Sequence, residues 1–186
     1  RELLASQIRA QPASTHAVEE LLFVSMRKLE KGFERKFGAK LFKHQIDDGS
    51  AMQQISRFHC RDQASLLRLA KEIIRVFSDR LNLRELRKLS SHAEKDKLGS
   101  NKLLQDVLAK KIGEERARQV FGPIVGAYDL RVGDAHPTSS KIGDALELAG
   151  IDESQSYLRQ GEQLIHNVGY SVWCIGKLLF EEKGNP

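Results

Sequence analysis

Hydrophobic residues recur at steps of three and four along most of this chain, with charged residues between them. This spacing places hydrophobic side chains on one face of an α-helix, so the pattern predicts a series of amphipathic helices. The first long run begins near Thr15 and ends at Gly38, a residue type that commonly terminates helices. Its hydrophobic positions are Val18, Leu21, Leu22, Met26, Leu29, Phe33 and Phe37.

The broadest hydrophobic face follows Asp62, a residue suited to cap the N-terminus of a helix. Its width predicts a central, well-buried helix. The hydrophobic positions of this helix are Leu66, Leu67, Leu69, Ala70, Ile73, Ile74, Phe77 and Leu81.

The rest of the chain also favours helices. Ser100 or Asn101 is expected to cap one of them, and Pro123 is expected to kink or divide another. No alternating pattern typical of strands is visible, so the fold class is all-α, a bundle of about six to eight helices. Residues 1–61 are predicted to form an N-terminal helical extension and residues 62–186 the bundle itself. Further helices are predicted at residues 51–58, 83–98, 100–111, 112–130, 139–149 and 154–180.

With 40% hydrophobic and 30% charged residues, the 186-residue chain has the composition of a globular protein. No stretch approaches the roughly 18 hydrophobic residues of a membrane-spanning helix, so no membrane partner is expected. Cys60 and Cys174 lack C-x-x-C spacing, which predicts free thiols in a reducing, cytoplasmic compartment. The chain begins at Arg1 rather than methionine, and we expect a processed product or one region of a longer protein.

Positive charge is concentrated in the first two thirds of the chain. Residues 1–120 contain 25 Lys and Arg against 16 Asp and Glu, whereas residues 121–186 contain 5 against 9. A basic surface attracts nucleic acid through its phosphates. One basic run is typical of a solvated helix face but can also hold an RNA backbone. It comprises Arg27, Lys28, Lys31, Arg35, Lys36, Lys40 and Lys43.

Residues that could take part in catalysis cluster in the stretch 128–140, where a helical run meets Pro137. His136 is suited to proton transfer, because histidine titrates near neutral pH. Arg131 offers planar, permanently charged donors to a phosphate, whose charge grows in the transition state. Asp134 can hydrogen-bond the histidine or its partner and fix an orientation.

This arrangement resembles the HEPN superfamily, whose signature is an arginine and a histidine separated by four to six residues. HEPN domains are small helical bundles, often dimeric, and many are metal-independent ribonucleases of toxin, antiviral and RNA-processing systems. The resemblance covers roughly residues 62–180. It implies a HEPN-like bundle that acts on RNA as a homodimer and uses no metal or other cofactor. Arg131, His136 and Asp134 would be the catalytic residues.

Four arginine–histidine pairs have this spacing, and their surroundings favour one of them. Gly133 and Ala135 are small residues, which let a backbone or a second subunit approach the 131/136 pair closely. The 9/16 pair spans a proline, the 159/166 pair lies within the last helix, and the 87/92 pair is the credible rival. The four pairs are Arg9/His16, Arg87/His92, Arg131/His136 and Arg159/His166.

On a straight helix, Arg131 and His136 would lie about 140° apart around the axis. They can face one pocket if the helix ends between them, which Pro137 favours. A dimer in which both copies contribute to one cleft would also bring the two side chains together. The predicted site therefore depends on a helix end, a dimer or both.

Other interpretations of these residues stay open. Arg131 and Asp134 can form a helix-surface ion pair, and His136 can act as a helix C-terminal cation. Val132 stands where the family commonly has a polar residue. It favours a non-catalytic helical module that oligomerises or binds RNA within a larger defence or regulatory protein. A protein–protein adaptor without nucleic acid is a third possibility.

Several classes of enzyme are excluded because their motifs are missing. The sequence contains no Walker A sequence, G-x-G-x-x-G, H-E-x-x-H or G-x-S-x-G. His59 and Cys60 are adjacent, but no second ligand pair has metal-binding spacing, so no metal site is predicted. We expect Cys60 to be structural, and Trp173 and Cys174 to belong to the core.

Overall fold

The computed structural model describes residues 17–43, 49, 53–92, 94–133 and 139–180. Within these residues the chain forms seven α-helices and no β-strand, which confirms the predicted all-α bundle. Two short 3-10 turns, Arg57–His59 and Lys95–Lys97, interrupt the connections. The helices are α1 Val18–Phe37, α2 Gln63–Val76, α3 Leu83–Leu89, α4 Ser100–Ile112, α5 Glu114–Gly133, α6 Ser139–Ala149 and α7 Tyr157–Phe180.

Helix α1 packs lengthwise against α7. The predicted hydrophobic stripe of α1 is its buried face, and α1 ends as predicted at Gly38, whose φ of 65° suits glycine. The two backbones approach closely at Gly169, where an added Cβ would lie 3.0 Å from the backbone nitrogen of Leu22. Helix α1 thus shares one hydrophobic core with the helices that follow Asp62. The boundary predicted at residue 61 stays a prediction.

Helix α2 begins with the predicted cap. Asp62 Oδ1 accepts a hydrogen bond from the Ser65 backbone nitrogen at 2.8 Å, and Ser65 Oγ accepts one from the Asp62 nitrogen at 3.0 Å. These reciprocal bonds satisfy two donors at the helix N-terminus. The helix ends at Val76 rather than at Leu81. Leu81 instead forms an isolated antiparallel bridge with Phe42, which draws the chain out of the helix.

We expect the Asp62 cap to make stability depend on pH. Hydrogen bonds from Ser65 hold the pKa of Asp62 below its usual value. The contribution is therefore present above the unfolded pKa of about 3.9 and is lost as pH falls through the folded value. Asp62→Ala should lower the urea midpoint at pH 7, and the difference from wild type should shrink at pH 3.

Urea unfolding followed by circular dichroism tests this prediction. Asp62→Asn is the matched control, because an amide oxygen can still accept the bond from Ser65 but does not titrate in this range. It should keep most of the stability at pH 7 and lose the pH dependence that this carboxylate contributes. An equal destabilisation of Asp62→Ala at pH 7 and pH 3 would contradict the proposed role of the charge.

Helix α3 ends earlier than predicted, and the N-cap residue of α4 differs from the predicted one. Helix α3 ends at Leu89 because Asp106 accepts hydrogen bonds from the Ser90 hydroxyl at 2.7 Å and from the Ser91 nitrogen at 3.1 Å. Residues 83–98 therefore do not form one helix. Gly99, not Ser100 or Asn101, occupies the N-cap of α4, without a side-chain cap.

Pro123 lies inside α5 and does not divide it. A proline at this position removes the hydrogen bond to the carbonyl of residue 119. Hydrophobic burial holds the helix together, because Phe121, Ile124, Ala127 and Leu130 are all fully buried. None of the described helices is both long enough and hydrophobic enough to cross a membrane.

Candidate functional site

A cavity of about 720 Å³ lies where the chain turns after α2, where α4 begins and along α5 from Phe121 to Arg131. Three cations and one carboxylate line it, together with a hydrophobic wall. The cavity is therefore both positively charged and partly apolar. Its lining residues are Lys43, Ser78, Asp79, Leu81, Leu83, Gly99, Ser100, Asn101, Lys102, Gln105, Phe121, Val125, Tyr128 and Arg131.

Arg131 is the predicted site residue that the structure places in this cavity. Its Nη1 donates hydrogen bonds to both carboxylate oxygens of Asp79, each at 2.8 Å. Exposed ion pairs of this kind contribute about 0–1 kcal/mol to stability, so the main effect is on orientation. Both bonds use one terminal nitrogen, and among the described residues no hydrogen bond engages the Nε or Nη2 donors of this guanidinium, which suit a phosphate.

The N-terminus of α4 forms another part of the wall. Ser100, Asn101 and Lys102 form the first helical turn, whose backbone N–H groups have no acceptor within the helix. All three residues line the cavity. Such a helix end attracts anions through its N–H groups and through the helix dipole. Lys102 adds a formal positive charge at the same place.

Two polar atoms in this wall are buried and have no hydrogen-bond partner among the described residues. They are Ser78 Oγ, on a side chain that is only 2% exposed, and Asn101 Oδ1. Buried hydroxyl and amide groups are nearly always satisfied, because an unpaired one costs about 1–3 kcal/mol.

Lys43 lines the cavity because the bridge between Phe42 and Leu81 holds its segment beside the chain that follows α2. Glu30 Oε2 accepts hydrogen bonds from the nitrogens of Leu41 and Phe42 at 2.9 and 3.2 Å, and the Lys43 nitrogen donates to the Arg80 carbonyl at 2.9 Å. Burial raises the pKa of Glu30 despite these hydrogen bonds. The segment that carries Lys43 is thus fixed on both sides.

Hydrophobic and aromatic side chains form another part of the cavity lining. Leu81 and Phe121 are fully buried, whereas Leu83 and Val125 are half-buried and Tyr128 is 44% exposed. A hydrophobic and aromatic wall next to a cationic one suits a ligand with a flat ring and a phosphate. A nucleotide unit of RNA has both features.

The remaining predicted residues of this site, Asp134 and His136, lie outside the described residues. Helix α5 is described as far as Gly133, and α6 begins at Ser139. The structure therefore places the helices on either side of these two residues. The hydrogen bond predicted from Asp134 to His136 or its partner stays a prediction. Asp79, the observed partner of Arg131, was missed because it lies 52 positions away and no local pattern marks it.

The rival pair at Arg87 and His92 has other contacts. Arg87 Nη2 donates to the backbone carbonyl of Asp96 at 3.1 Å, and His92 Nδ1 accepts a hydrogen bond from the Glu94 nitrogen at 3.2 Å. His92 faces a cavity of only about 180 Å³. This pair thus stabilises the loop after α3, and it has little room for a substrate.

The pair at Arg159 and His166 lies on the exposed surface of α7. Arg159 is paired with Glu162 at 2.5 Å, and the ring of His166 stacks on that of Tyr170. Arg9 and His16 lie outside the described residues. Arg159 and His166 both line a cavity of about 480 Å³, whereas Arg131 lines the cavity of about 720 Å³ that also holds Lys43 and Lys102.

Cys60 is buried as predicted, with its Sγ packed beside Gly161. Burial raises the pKa of its thiol to about 11, so it is protonated and unreactive at neutral pH. Trp173 and Cys174, in contrast, are only half-buried, and Trp173 lines a groove between α7 and α1. The prediction that both belong to the core is wrong.

Comparisons of the chain with protein-family models, with curated proteins and with solved structures gave no match. The geometry of the cavity and the chemistry of its lining are therefore the basis for assigning a function.

Proposed function

We propose that this chain is a metal-independent endoribonuclease of the HEPN type and that its substrate enters the cavity at Arg131. The single observation that carries the proposal is the placement of Arg131 by Asp79 in a cationic cavity, five positions before His136. The other two arginines that can be compared are engaged elsewhere. The HEPN resemblance and the chemistry of the cavity thus point to the same arginine.

In this proposal, the phosphate of the scissile bond lies between Arg131, Lys102 and the N-terminus of α4. Arg131 donates hydrogen bonds to the phosphate oxygens, where negative charge grows in the transition state. An adjacent base stacks against the hydrophobic wall at Tyr128. These interactions hold the substrate without a metal ion.

His136 would then act in proton transfer. It removes the proton from the ribose 2′-hydroxyl, and the 2′-oxygen forms a bond to phosphorus while the bond from phosphorus to the 5′-oxygen breaks. The leaving 5′-oxygen takes up a proton, so the products are a 2′,3′-cyclic phosphate and a 5′-hydroxyl. Asp134 would orient His136 or its partner.

A homodimer is part of the proposal. Val132, on the same helix end as Arg131, is 49% exposed. Exposed hydrophobic residues at a functional cleft are typical of surfaces that a partner covers. A second copy on this face would bring two such clefts together, and Val132 would contribute to the interface rather than to catalysis.

Cleavage of a mixed RNA pool in EDTA tests the proposal, with wild type compared with His136→Ala. We expect wild type to cleave and the variant to lose at least 10²-fold in rate, the usual contribution of a general acid–base group. His59→Ala is the matched control, because His59 is an exposed histidine that does not line the cavity. No cleavage by wild type, or equal cleavage by His136→Ala, would overturn the assignment.

A further inference from the structure

A row of rings covers one face of α7, away from the cavity. His166, Tyr170 and Trp173 follow one another at steps of four and three residues, so their side chains share a face. The rings of His166 and Tyr170 are nearly parallel, with centroids 6.2 Å apart, and those of Tyr170 and Trp173 are 5.4 Å apart. Tyr170 is 52% exposed, so its ring is accessible from solvent.

Cations continue this row into a groove between α7 and α1. Lys177 lies over the ring of Trp173, with Nζ 4.8 Å from the ring centroid. The groove has a volume of about 340 Å³, and no Asp or Glu is among the described residues that line it. Its cations are Lys28, Lys31, Arg35 and Lys177.

We infer that this face of α1 and α7 binds single-stranded RNA. Unpaired bases would continue the row of stacked rings from its exposed members, His166 and Tyr170, while the phosphates follow the four cations along the groove. Interleaved aromatic and basic side chains are the usual way in which proteins hold single strands without reading their sequence. The basic run of the sequence thus acts through its members Lys28, Lys31 and Arg35.

The aromatic row selects a single strand over other anionic partners. A duplex keeps its bases paired and stacked inside, so it offers phosphates but no free base face to Tyr170 and Trp173. An acidic peptide or a membrane surface would satisfy the cations and leave the rings unused. The joint presence of four cations and a stacked row is therefore best matched by unpaired nucleotides.

This inference does not depend on the cleavage reaction. The rings and the groove share no lining residue with the cavity at Arg131. Binding at the α1–α7 face can therefore occur whether or not the cavity cleaves RNA. If both proposals hold, the face captures a strand whose further length reaches the cavity.

Trp173 is the only tryptophan of the chain, so its fluorescence reports directly on the proposed surface. We would titrate the full chain carrying His136→Ala, which keeps RNA intact, with a 12-nucleotide oligoadenylate. We expect quenching that weakens as salt rises, with a slope of log affinity against log salt of up to about −3 for four cations. A duplex RNA of equal length and vesicles containing phosphatidylserine should quench much less.

Variants identify the residues responsible. Tyr170→Ala should weaken binding of the oligoadenylate about tenfold, because a stacking partner is lost. Lys31→Ala should weaken it less and reduce the salt slope by about 0.7. Tyr157→Ala, an exposed tyrosine in the first turn of the same helix, is the matched control and should bind as wild type does.

Three results would overturn the inference. They are the absence of salt-dependent quenching, equal quenching by the duplex or by vesicles, and equal losses in Tyr170→Ala and Tyr157→Ala. Because the readout is binding by a variant that lacks His136, a failure of the cleavage proposal leaves this test intact. Cleavage by wild type together with no quenching would reject the surface alone.

Discussion

Arg131→Ala is expected to reduce RNA cleavage in EDTA by about 10²–10³-fold, the usual cost of removing a donor that stabilises transition-state charge. The effect should fall mainly on the rate at saturating RNA, because Lys43 and Lys102 still attract the phosphate. Arg131→Lys should recover little activity, because an ammonium cannot reproduce the planar donors. Single-turnover cleavage of a defined oligonucleotide measures both quantities.

Asp79 gives this prediction its sharpest test. In the proposal Asp79 positions Arg131 and does not contact RNA, so Asp79→Asn should lower the rate by a smaller factor, on the order of tenfold. Its amide can accept one of the two hydrogen bonds that the carboxylate now accepts. Arg87→Ala, which alters another arginine held by a neighbouring residue, is the control and should cleave normally. Normal cleavage by Arg131→Ala would reject the site.

The parts of the fold that follow from local physics could be predicted from the sequence. The helix over 18–37 and its stop at Gly38, like the Asp62 cap, depend on residues within one or two turns of each other. The C-terminal ends of α2 and α3 could not be predicted in this way. Both are set by contacts with distant segments, namely the bridge to Phe42 and the hydrogen bonds to Asp106.

The candidate site likewise has a part that could be predicted from local sequence and a part that could not. Spacing alone gives four arginine–histidine pairs, and Arg131 and His136 are chosen from them by their local sequence surroundings. The cavity could not be predicted, because Lys43, Asp79 and the N-terminus of α4 are brought to Arg131 only by tertiary packing. Trp173 shows the converse error. A tryptophan in an amphipathic pattern suggests a core residue, yet the position of α1 leaves it at the rim of a groove.

The crossing of α5 and α6 explains a second large expected effect, on stability. Gly126 lies where the two helices are in backbone contact, and an added Cβ would lie 2.7 Å from the Ala145 carbonyl oxygen and 2.8 Å from Ala149 Cα. Backbone atoms cannot move aside as a flexible side chain can, so the helices must separate. We therefore expect Gly126→Ala to cost about 3 kcal/mol, at the upper end of the range for overpacking.

Gly122, one turn earlier on the same helix, is the matched control. An added Cβ there would meet Leu148 atoms at 3.5–3.6 Å, an ordinary van der Waals distance. Gly122→Ala should be neutral or stabilise the chain by up to about 1 kcal/mol, because alanine favours the helix more than glycine does. Thermal unfolding followed by circular dichroism should show Gly126→Ala melting about 6–12 °C below wild type. Equal melting temperatures for the two variants would refute the close contact.

The same crossing connects stability to the proposed chemistry. Helix α6 begins three positions after His136, and α5 carries Arg131 in its last turn, so the angle between these helices constrains both ends of the intervening segment. Gly126→Ala should therefore reduce cleavage even at a temperature where circular dichroism shows the helices intact. Gly122→Ala should cleave as wild type does, because it leaves the crossing unchanged. Full activity in a folded Gly126→Ala variant would show that the packing of α6 against α5 does not affect the site at Arg131.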